Sequence, residues 1–224
     1  MARILTPVLM AAASFVIAHA QARSPAVQRN KLQLSLECWR QNEWRAMDAQ
    51  SVFKQQDRIR FRFRTSVPGY LYILNYSSSG QVSWLYPAPG SLSNRVEEGH
   101  EAIIPRADGS YLVGGPPGFD TLYWILRSTS FEPPQVDGKQ LDVPSTLVSR
   151  CREEEPPAEV ACVDKSAGPK PVPDPRKLQT ALGISNSLVA RDLTFESKPQ
   201  GTEIGTDSDG ASSGIIYQVR IAHN

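Results

Sequence analysis

The clearest pattern in the chain is a strict alternation of charged and apolar residues between positions 58 and 64. One side of this pattern consists of Ile59, Phe61 and Phe63, and the other of Arg58, Arg60, Arg62 and Arg64. A period of two residues predicts a β-strand with one buried face and one wet face. The four arginines indicate either an anion site or a solvated sheet face protected by charge. We favour the solvated face, because the rest of the domain is neutral.

A second pattern, directly downstream, predicts a β-hairpin. Residues 70–76 and 82–86 are rich in aromatic and aliphatic residues, and a Ser-Ser-Ser-Gly stretch separates them at 77–80. A three-residue turn over 78–80 sets the register of the two strands. The predicted pairs are Tyr76 with Val82, Leu74 with Trp84, and Tyr72 with Tyr86.

In that register, most of the large rings of the hairpin share one face. This face consists of Tyr70, Tyr72, Leu74, Tyr76, Val82, Trp84 and Tyr86. Such a face either fills a core between two sheets or forms an exposed platform for a sugar or a protein partner. The core is the more common fate of large rings. If the face binds a ligand, the candidate binding residues are Tyr70, Tyr72, Tyr76, Trp84 and Tyr86, together with the loop at 87–99.

The remaining strands are short and separated by glycine and proline. Leu32, Leu34, Leu36 and Cys38 alternate with mostly polar neighbours over 31–39, and further strands are predicted at 102–104, 111–113 and 121–128. Residues 40–56 are polar and irregular, which is typical of a loop or a short helix. Many short strands joined by turns predict a mostly all-β fold, a β-sandwich-like domain of antiparallel strands over about 31–150.

The C-terminal part of the chain has a different character. Six prolines within 153–175 predict a Pro-rich linker or loop over 151–175. Asp174 before Pro175, with Gly183 eight residues later, predicts one short helix. Strands are predicted at 188–195 and 215–221, with a mobile polar stretch between them. Residues 176–224 are therefore predicted to form a short helix and a C-terminal β-hairpin that rejoins the sandwich.

The N-terminus carries the pattern of a secretory signal peptide over 1–22. Arg3 precedes a mostly apolar run of residues 4–17, and Ala-His-Ala and Ala-Gln-Ala follow at 18–22. The run is shorter than the roughly 20 residues that a membrane span needs. We therefore expect an exported protein, periplasmic or secreted, without a transmembrane span after cleavage.

The charge balance excludes several classes of partner. The 224 residues carry 24 Lys and Arg against 23 Asp and Glu, a formal net charge of +1. A nearly neutral chain has no long-range attraction for nucleic acid or for an anionic membrane. We therefore expect no nucleic-acid partner, and for an exported protein with an aromatic face the expected partners are another envelope protein or a cell-wall glycan.

Three cysteines make a disulfide possible in an oxidising compartment: Cys38, Cys151 and Cys162. Cys151 and Cys162 flank a short segment, so their pairing costs little loop entropy. We predict that pair, with Cys38 free, although the sequence leaves the other two pairings open. The spacings do not match a metal site, and no cofactor is expected.

The sequence lacks a recognisable catalytic constellation. Within the predicted domain the only histidine is His100, in a turn-like segment with no nucleophile motif beside it. Neither a Gly-x-Ser-x-Gly elbow nor a phosphate-binding glycine motif is present. We therefore predict no catalytic residue and consider an enzyme less favoured than a binding module.

Several segments in order resemble a bacterial family of domains of unknown function, number 4384. These segments are 53–61, 69–75, 79–82, 85–87, 104–105, 116–118 and the strand at 122–126. Gln56 stands where the family often has glycine before the aspartate. The resemblance covers about residues 50–130 and implies an exported or envelope-associated module. Similar domains lie beside caspase-like peptidase or kinase domains, which implies an accessory or sensing role.

The sequence thus predicts an exported, non-enzymatic binding or interaction module of the bacterial envelope. One alternative is an envelope hydrolase acting on glycan or peptide, which would need a cleft containing a carboxyl group with a displaced titration. The other is a structural envelope protein that acts by assembly.

Overall fold

The computed structural model describes residues 30–88, 91, 93–136, 162–183, 188–189, 193–198, 201–206 and 214–224. The predicted signal peptide at 1–22 lies outside these residues. Strands are numbered along the chain. The predicted mostly β fold is confirmed: two sheets pack face to face, and one short helix lies outside them. No helix in the described ranges has the length and apolar character needed to cross a membrane.

Sheet I has five strands along its main path. Their order is β13 (Leu193–Lys198), β14 (Gly201–Thr206), β1 (Asn30–Arg40), β4 (Arg58–Thr65) and β8 (Glu101–Ile104). Two shorter strands extend it, β2 (Glu43–Met47) beside β1 and β9 (Tyr111–Leu112) beside β4. The alternating sequence of β4 therefore lies in the middle of this sheet, antiparallel to β1.

Sheet II contains the predicted hairpin. Its order is β11 (Gly168–Lys170), β15 (Gly214–His223), β10 (Gly118–Arg127), β5 (Gly69–Tyr76) and β6 (Val82–Tyr86). Strand β7 (Arg95–Val96) pairs with β5, whereas β3 (Val52–Phe53) and β12 (Leu188–Val189) run parallel to β15. The long central strands β10 and β15 are buried along almost their whole length.

The main core lies between the two sheets and is built from alternate residues of the long strands. Trp124 of β10 is fully buried, with its ring centroid 5.3 Å from that of Phe61 and 5.5 Å from that of Phe63. Tyr217 of β15 stacks on the same indole ring at 6.0 Å. The apolar side of the alternating strand β4 therefore packs directly against sheet II.

A third layer covers the outer face of sheet II. The helix α1 (Pro175–Leu182) buries Leu178 and Leu182 there. Its predicted ends are confirmed: the Asp174 side chain accepts a hydrogen bond from the Lys177 backbone N–H, and Gly183 is left-handed at φ 66°. Residues 131–136 cover another part of the same face through Phe131 and Val136.

Three segments differ from the sequence predictions. The polar stretch 40–56 forms β2 and β3 rather than a helix or a loop, because neighbouring strands supply their backbone partners. The stretch predicted to be mobile contains β14, which pairs with both β1 and β13. The described end of the predicted Pro-rich linker contains β11, which pairs with β15.

Candidate functional site

The chain's own residues 131–136 cover the part of the predicted aromatic face where Tyr72 and Trp84 lie. The rings of Tyr72 and Phe131 are 4.1 Å apart, and those of Trp84 and Phe131 are 6.2 Å apart. Tyr72 is 1% exposed, whereas Tyr70, Tyr76 and Trp84 are half-buried around it. We call Tyr70, Tyr72, Tyr76 and Trp84 the aromatic cleft. In this structure the cleft is an occupied surface and not a bare platform.

Hydrogen bonds fix this occupant to the aromatic cleft. The hydroxyl of Tyr72 donates to the carbonyl of Phe131 at 2.9 Å and accepts from the backbone N–H of Phe131 at 2.8 Å. The indole N–H of Trp84 donates to the carbonyl of Pro134 at 2.9 Å. All three bonds go to backbone atoms of the segment, so they depend on its conformation more than on its side chains.

Tyr86 does not join the other rings, which corrects the predicted register. The pairs of Tyr76 with Val82 and of Leu74 with Trp84 are confirmed. A β-bulge follows, and Tyr86 pairs with Ile73 rather than with Tyr72. Tyr86 therefore packs against the core between the sheets, where burial raises its pKa above the ordinary value.

The outer face of sheet I carries the four arginines of β4, and we call it the arginine face. Arg60 and Arg62 both donate to Glu37 of β1, with N–O distances of 2.6 and 2.9 Å. Arg62 also donates to Glu101 of β8. The carboxyl groups of neighbouring strands thus neutralise the two central arginines, a pairing that alternation within one strand cannot reveal.

The two outer arginines of β4, Arg58 and Arg64, are exposed and form no ion pair with any residue that the structure describes. Arg58 donates instead to the hydroxyl of Ser110. An open groove of about 640 Å³ crosses the arginine face beside Arg64 and is lined by Arg62, Glu101 and Glu203 among others. The face therefore presents two exposed guanidinium groups, and that of Arg64 lines a groove that also contains the carboxylates of Glu37, Glu101 and Glu203.

Two tryptophans lie at one end of the arginine face, and sequence reasoning did not single them out. Trp39 of β1 and Trp44 of β2 are half-buried and contact each other edge to face, with ring centroids 5.3 Å apart. The guanidinium of Arg60 lies 4.2 Å from the Trp44 ring, and that of Arg58 lies 5.9 Å from the Trp39 ring. The alternation of β1 predicts this position for Trp39: Cys38 belongs to the core side, so the next residue belongs to the outer face.

A serine, a histidine and an aspartate also meet where β10 begins and β15 ends. Asp120 accepts a hydrogen bond from the backbone N–H of Ser78 at 2.8 Å and lies 3.5 Å from Nε2 of His223. The His223 ring is fully buried, and the Ser78 hydroxyl makes no hydrogen bond to it. This arrangement does not form a nucleophile relay, because the base neither contacts the hydroxyl nor reaches solvent.

Two of the three cysteines, Cys38 and Cys162, lie within the described residues. Cys38 is a free and fully buried thiol on the core side of β1. Burial, with a smaller contribution from the nearby Asp57 carboxylate, raises its pKa to about 11. The predicted Cys151–Cys162 pair stays a prediction, because Cys151 lies outside the described residues. Within the described ranges, no three metal-ligating side chains converge.

Part of the chain matches the model of a known family. Residues 52–130 match the family model described as domain of unknown function DUF4384, which confirms the family resemblance of this segment. The matched segment begins with β3 and includes all of β10. It therefore contains the arginines of β4 and the rings of the aromatic cleft, but neither Trp39, Trp44 nor residues 131–136. Curated proteins and solved structures give no match.

Proposed function

We propose that this protein is an exported, non-enzymatic binding module of the bacterial envelope, and that its arginine face docks a carboxylate-bearing segment of another envelope protein. The observation that carries the proposal is the difference between the two outer faces of the sandwich. Helix α1 and residues 131–136 cover the outer face of sheet II. The arginine face bears two tryptophans and four arginines, and no helix of the described part of the chain covers it.

The charges of the arginine face favour an acidic partner. Arg60 and Arg62 are balanced by Glu37 and Glu101. Arg58 and Arg64 lie toward opposite ends of β4 without a carboxyl partner among the described residues. Because both belong to a central strand, the sheet fixes the positions of their backbones, and Arg58 is also held by its hydrogen bond to Ser110. The planar guanidinium group suits bidentate hydrogen bonds to carboxylates.

The residue types on this face favour a protein partner over a glycan. Tryptophan and arginine are enriched among the residues that contribute most to protein–protein binding. Here the Trp39–Trp44 pair is already ordered by stacked arginines, so less conformational entropy is lost when a partner docks. A glycan site would instead need ring faces free for a sugar, and Arg60 lies over the Trp44 ring.

Two sequence features support export. The charged start, apolar run and small residues of 1–22 are typical of a signal peptide. The three cysteines are compatible with an oxidising compartment, in which one pair can form a disulfide. The family resemblance of residues 50–130 implies an accessory module of the envelope and carries no catalytic residue with it.

In-cell crosslinking tests the proposal. The tagged full-length protein is expressed in its native host, crosslinked in intact cells and analysed by mass spectrometry. The Arg58→Ala/Arg64→Ala double variant removes the two exposed charges of the arginine face. Arg176→Ala is the matched control, because Arg176 is an exposed arginine on α1, at the other side of the sandwich.

We expect one dominant protein partner that the double variant loses and the Arg176→Ala control retains. With the purified partner, the double variant should bind about tenfold more weakly at low salt, and raising the salt should reduce this difference. Retention of the partner by both variants contradicts the proposal. Recovery of cell-wall glycan without a protein partner does so as well and favours a glycan-binding role.

A further inference from the structure

The segment that occupies the aromatic cleft has the chemistry of a proline-rich ligand. It consists of Phe131, Glu132, Pro133, Pro134, Gln135 and Val136, and it forms neither helix nor strand. Consecutive prolines favour the extended polyproline conformation, which has no internal hydrogen bonds and leaves backbone carbonyls available to donors. We call residues 131–136 the strap.

We propose that the aromatic cleft is a binding site for proline-containing extended segments of other proteins, and that the strap is a displaceable occupant of that site. This site lies on the opposite side of the sandwich from the arginine face and does not depend on the role proposed for that face. The partner would carry an aromatic residue two positions before a Pro-Pro pair, as the strap does with Phe131, Pro133 and Pro134.

The contacts of the strap show which groups of the cleft would bind such a segment. The indole N–H of Trp84 donates to the carbonyl of Pro134, and the Tyr72 hydroxyl bonds to both backbone polar atoms of Phe131. Aromatic grooves that bind polyproline segments use the same combination of ring packing and donors aimed at carbonyls. Since these bonds reach only backbone atoms, a segment of similar conformation from another chain can make them equally well.

Selectivity would come from two side-chain features. The Phe131 ring packs on Tyr72, with centroids 4.1 Å apart, and contacts the Trp84 ring edge to face. The guanidinium of Arg127 lies 5.2 Å from the same Phe131 ring and closes this pocket. The prolines hold the segment extended before binding, which lowers the entropy lost on docking.

The strap has fewer buried contacts than the strands beneath it. Within it only Val136 is buried, at 3% exposure, whereas Glu132 and Gln135 are exposed and the other three residues are half-buried. No described strand pairs with the strap, and the residues that join it to β10, Ser128 to Ser130, are exposed. Segments with few buried contacts and no ladder hydrogen bonds open at lower free energy than the core does.

A peptide-binding experiment on the full-length protein tests this proposal. The probe is a fluorescently labelled synthetic peptide with the sequence of residues 129–136, and the control peptide has alanine at both proline positions. The wild-type strap competes at an effective concentration on the order of millimolar. The Phe131→Ala/Pro134→Ala variant weakens this competitor and should bind the probe at least tenfold more tightly than the wild type.

The donor of the cleft provides a second, more conservative variant. Trp84→Phe keeps an aromatic ring but removes the N–H that bonds to Pro134. In the strap-weakened background we expect it to reduce probe affinity about fivefold, as the loss of one hydrogen bond predicts. The control peptide should bind at least tenfold more weakly than the probe.

A measurement on the wild-type protein, by nuclear magnetic resonance, tests the proposal even if the variants do not fold. Millimolar probe should shift the backbone N–H resonance of Phe131, identified by its absence in the strap-weakened variant, because displacement of the strap removes its bond to the Tyr72 hydroxyl, and the control peptide should not. If the probe binds neither protein and leaves this resonance in place, the proposal is wrong. It is also wrong if both peptides bind equally, or if the strap-weakened variant forms a dimer that excludes the probe, since the occupant would then be a second copy.

Discussion

The carboxylate of Glu37 on β1 lies 2.6 Å from Nε of Arg60 on β4, and both side chains are only 8% exposed. Glu37 also accepts a hydrogen bond from Arg62, so one acidic group balances two guanidinium groups. Removing the acid leaves Arg60 buried without a counter-charge. We predict that Glu37→Gln lowers the free energy of unfolding by about 3 kcal/mol, measured by urea denaturation.

The exposed pair Glu43–Arg45 on β2 provides the matched control. Its N–O distance is also 2.6 Å, but the two side chains are 59% and 48% exposed. Glu43→Gln should therefore change the free energy of unfolding by less than about 0.5 kcal/mol. Equal effects of the two substitutions would mean that the Glu37–Arg60 pair is hydrated in solution. The central arginines of β4 would then be exposed to solvent, as the outer ones are.

A second prediction concerns the two cores on either side of sheet II. Trp124 is fully buried in the main core, and Tyr72 is 1% exposed beneath the strap. We predict that Trp124→Ala and Tyr72→Ala each lower the free energy of unfolding by about 3–5 kcal/mol. Leu112→Ala, at a side chain that is 63% exposed, should cost less than about 0.5 kcal/mol. If Tyr72→Ala cost as little as Leu112→Ala, the strap would not cover the cleft in solution.

The elements that the sequence predicts well are those with strong local signals. The alternation of β4 places Phe61 and Phe63 against Trp124, because a period of two leaves one face for the core. The helix ends at Asp174 and Gly183 follow from capping chemistry that involves only neighbouring residues. These features require no knowledge of which strands are neighbours.

The features that the sequence misses depend on distant partners. The bulge that turns Tyr86 into the main core lies in an otherwise regular hairpin and leaves no mark in the residue pattern. Glu37 belongs with Arg60 only because β1 and β4 are adjacent. The strap covers Tyr72 through bonds to its own backbone, which residue types alone cannot indicate.

A third prediction tests the close approach of two backbones in sheet I. Gly201 begins β14 with φ +139°, and a Cβ atom there would lie 2.2 Å from the carbonyl oxygen of Leu34 on β1. Gly201→Ala should therefore lower the free energy of unfolding by about 2 kcal/mol or more, through both backbone strain and the clash. Gly114→Ala is the control, since nothing lies within 4 Å of its Cβ position. Equal stability of the two variants would show that β14 does not pair with β1 as described.

The last prediction concerns the free thiol of Cys38. Its pKa is raised from 9.0 to about 11, chiefly by burial. At pH 8 only about one thiol in a thousand is therefore ionised, and burial excludes reagents as well. We predict that iodoacetamide at pH 8 does not label the native, unreduced protein within an hour. In urea without reductant it should label one cysteine per chain, and peptide mapping should identify Cys38.

The raised pKa also predicts how stability changes in alkali. In the unfolded chain the thiol ionises near pH 9, whereas in the native protein it keeps its proton until about pH 11. Its contribution to stability is therefore complete below about pH 9 and is lost as the pH rises toward 11. The free energy of unfolding of the Cys38→Ala variant should not show this decrease between pH 9 and pH 11. In urea without reductant, this variant should show no labelled thiol. Two or three labelled cysteines in the unreduced wild type would contradict the Cys151–Cys162 pairing.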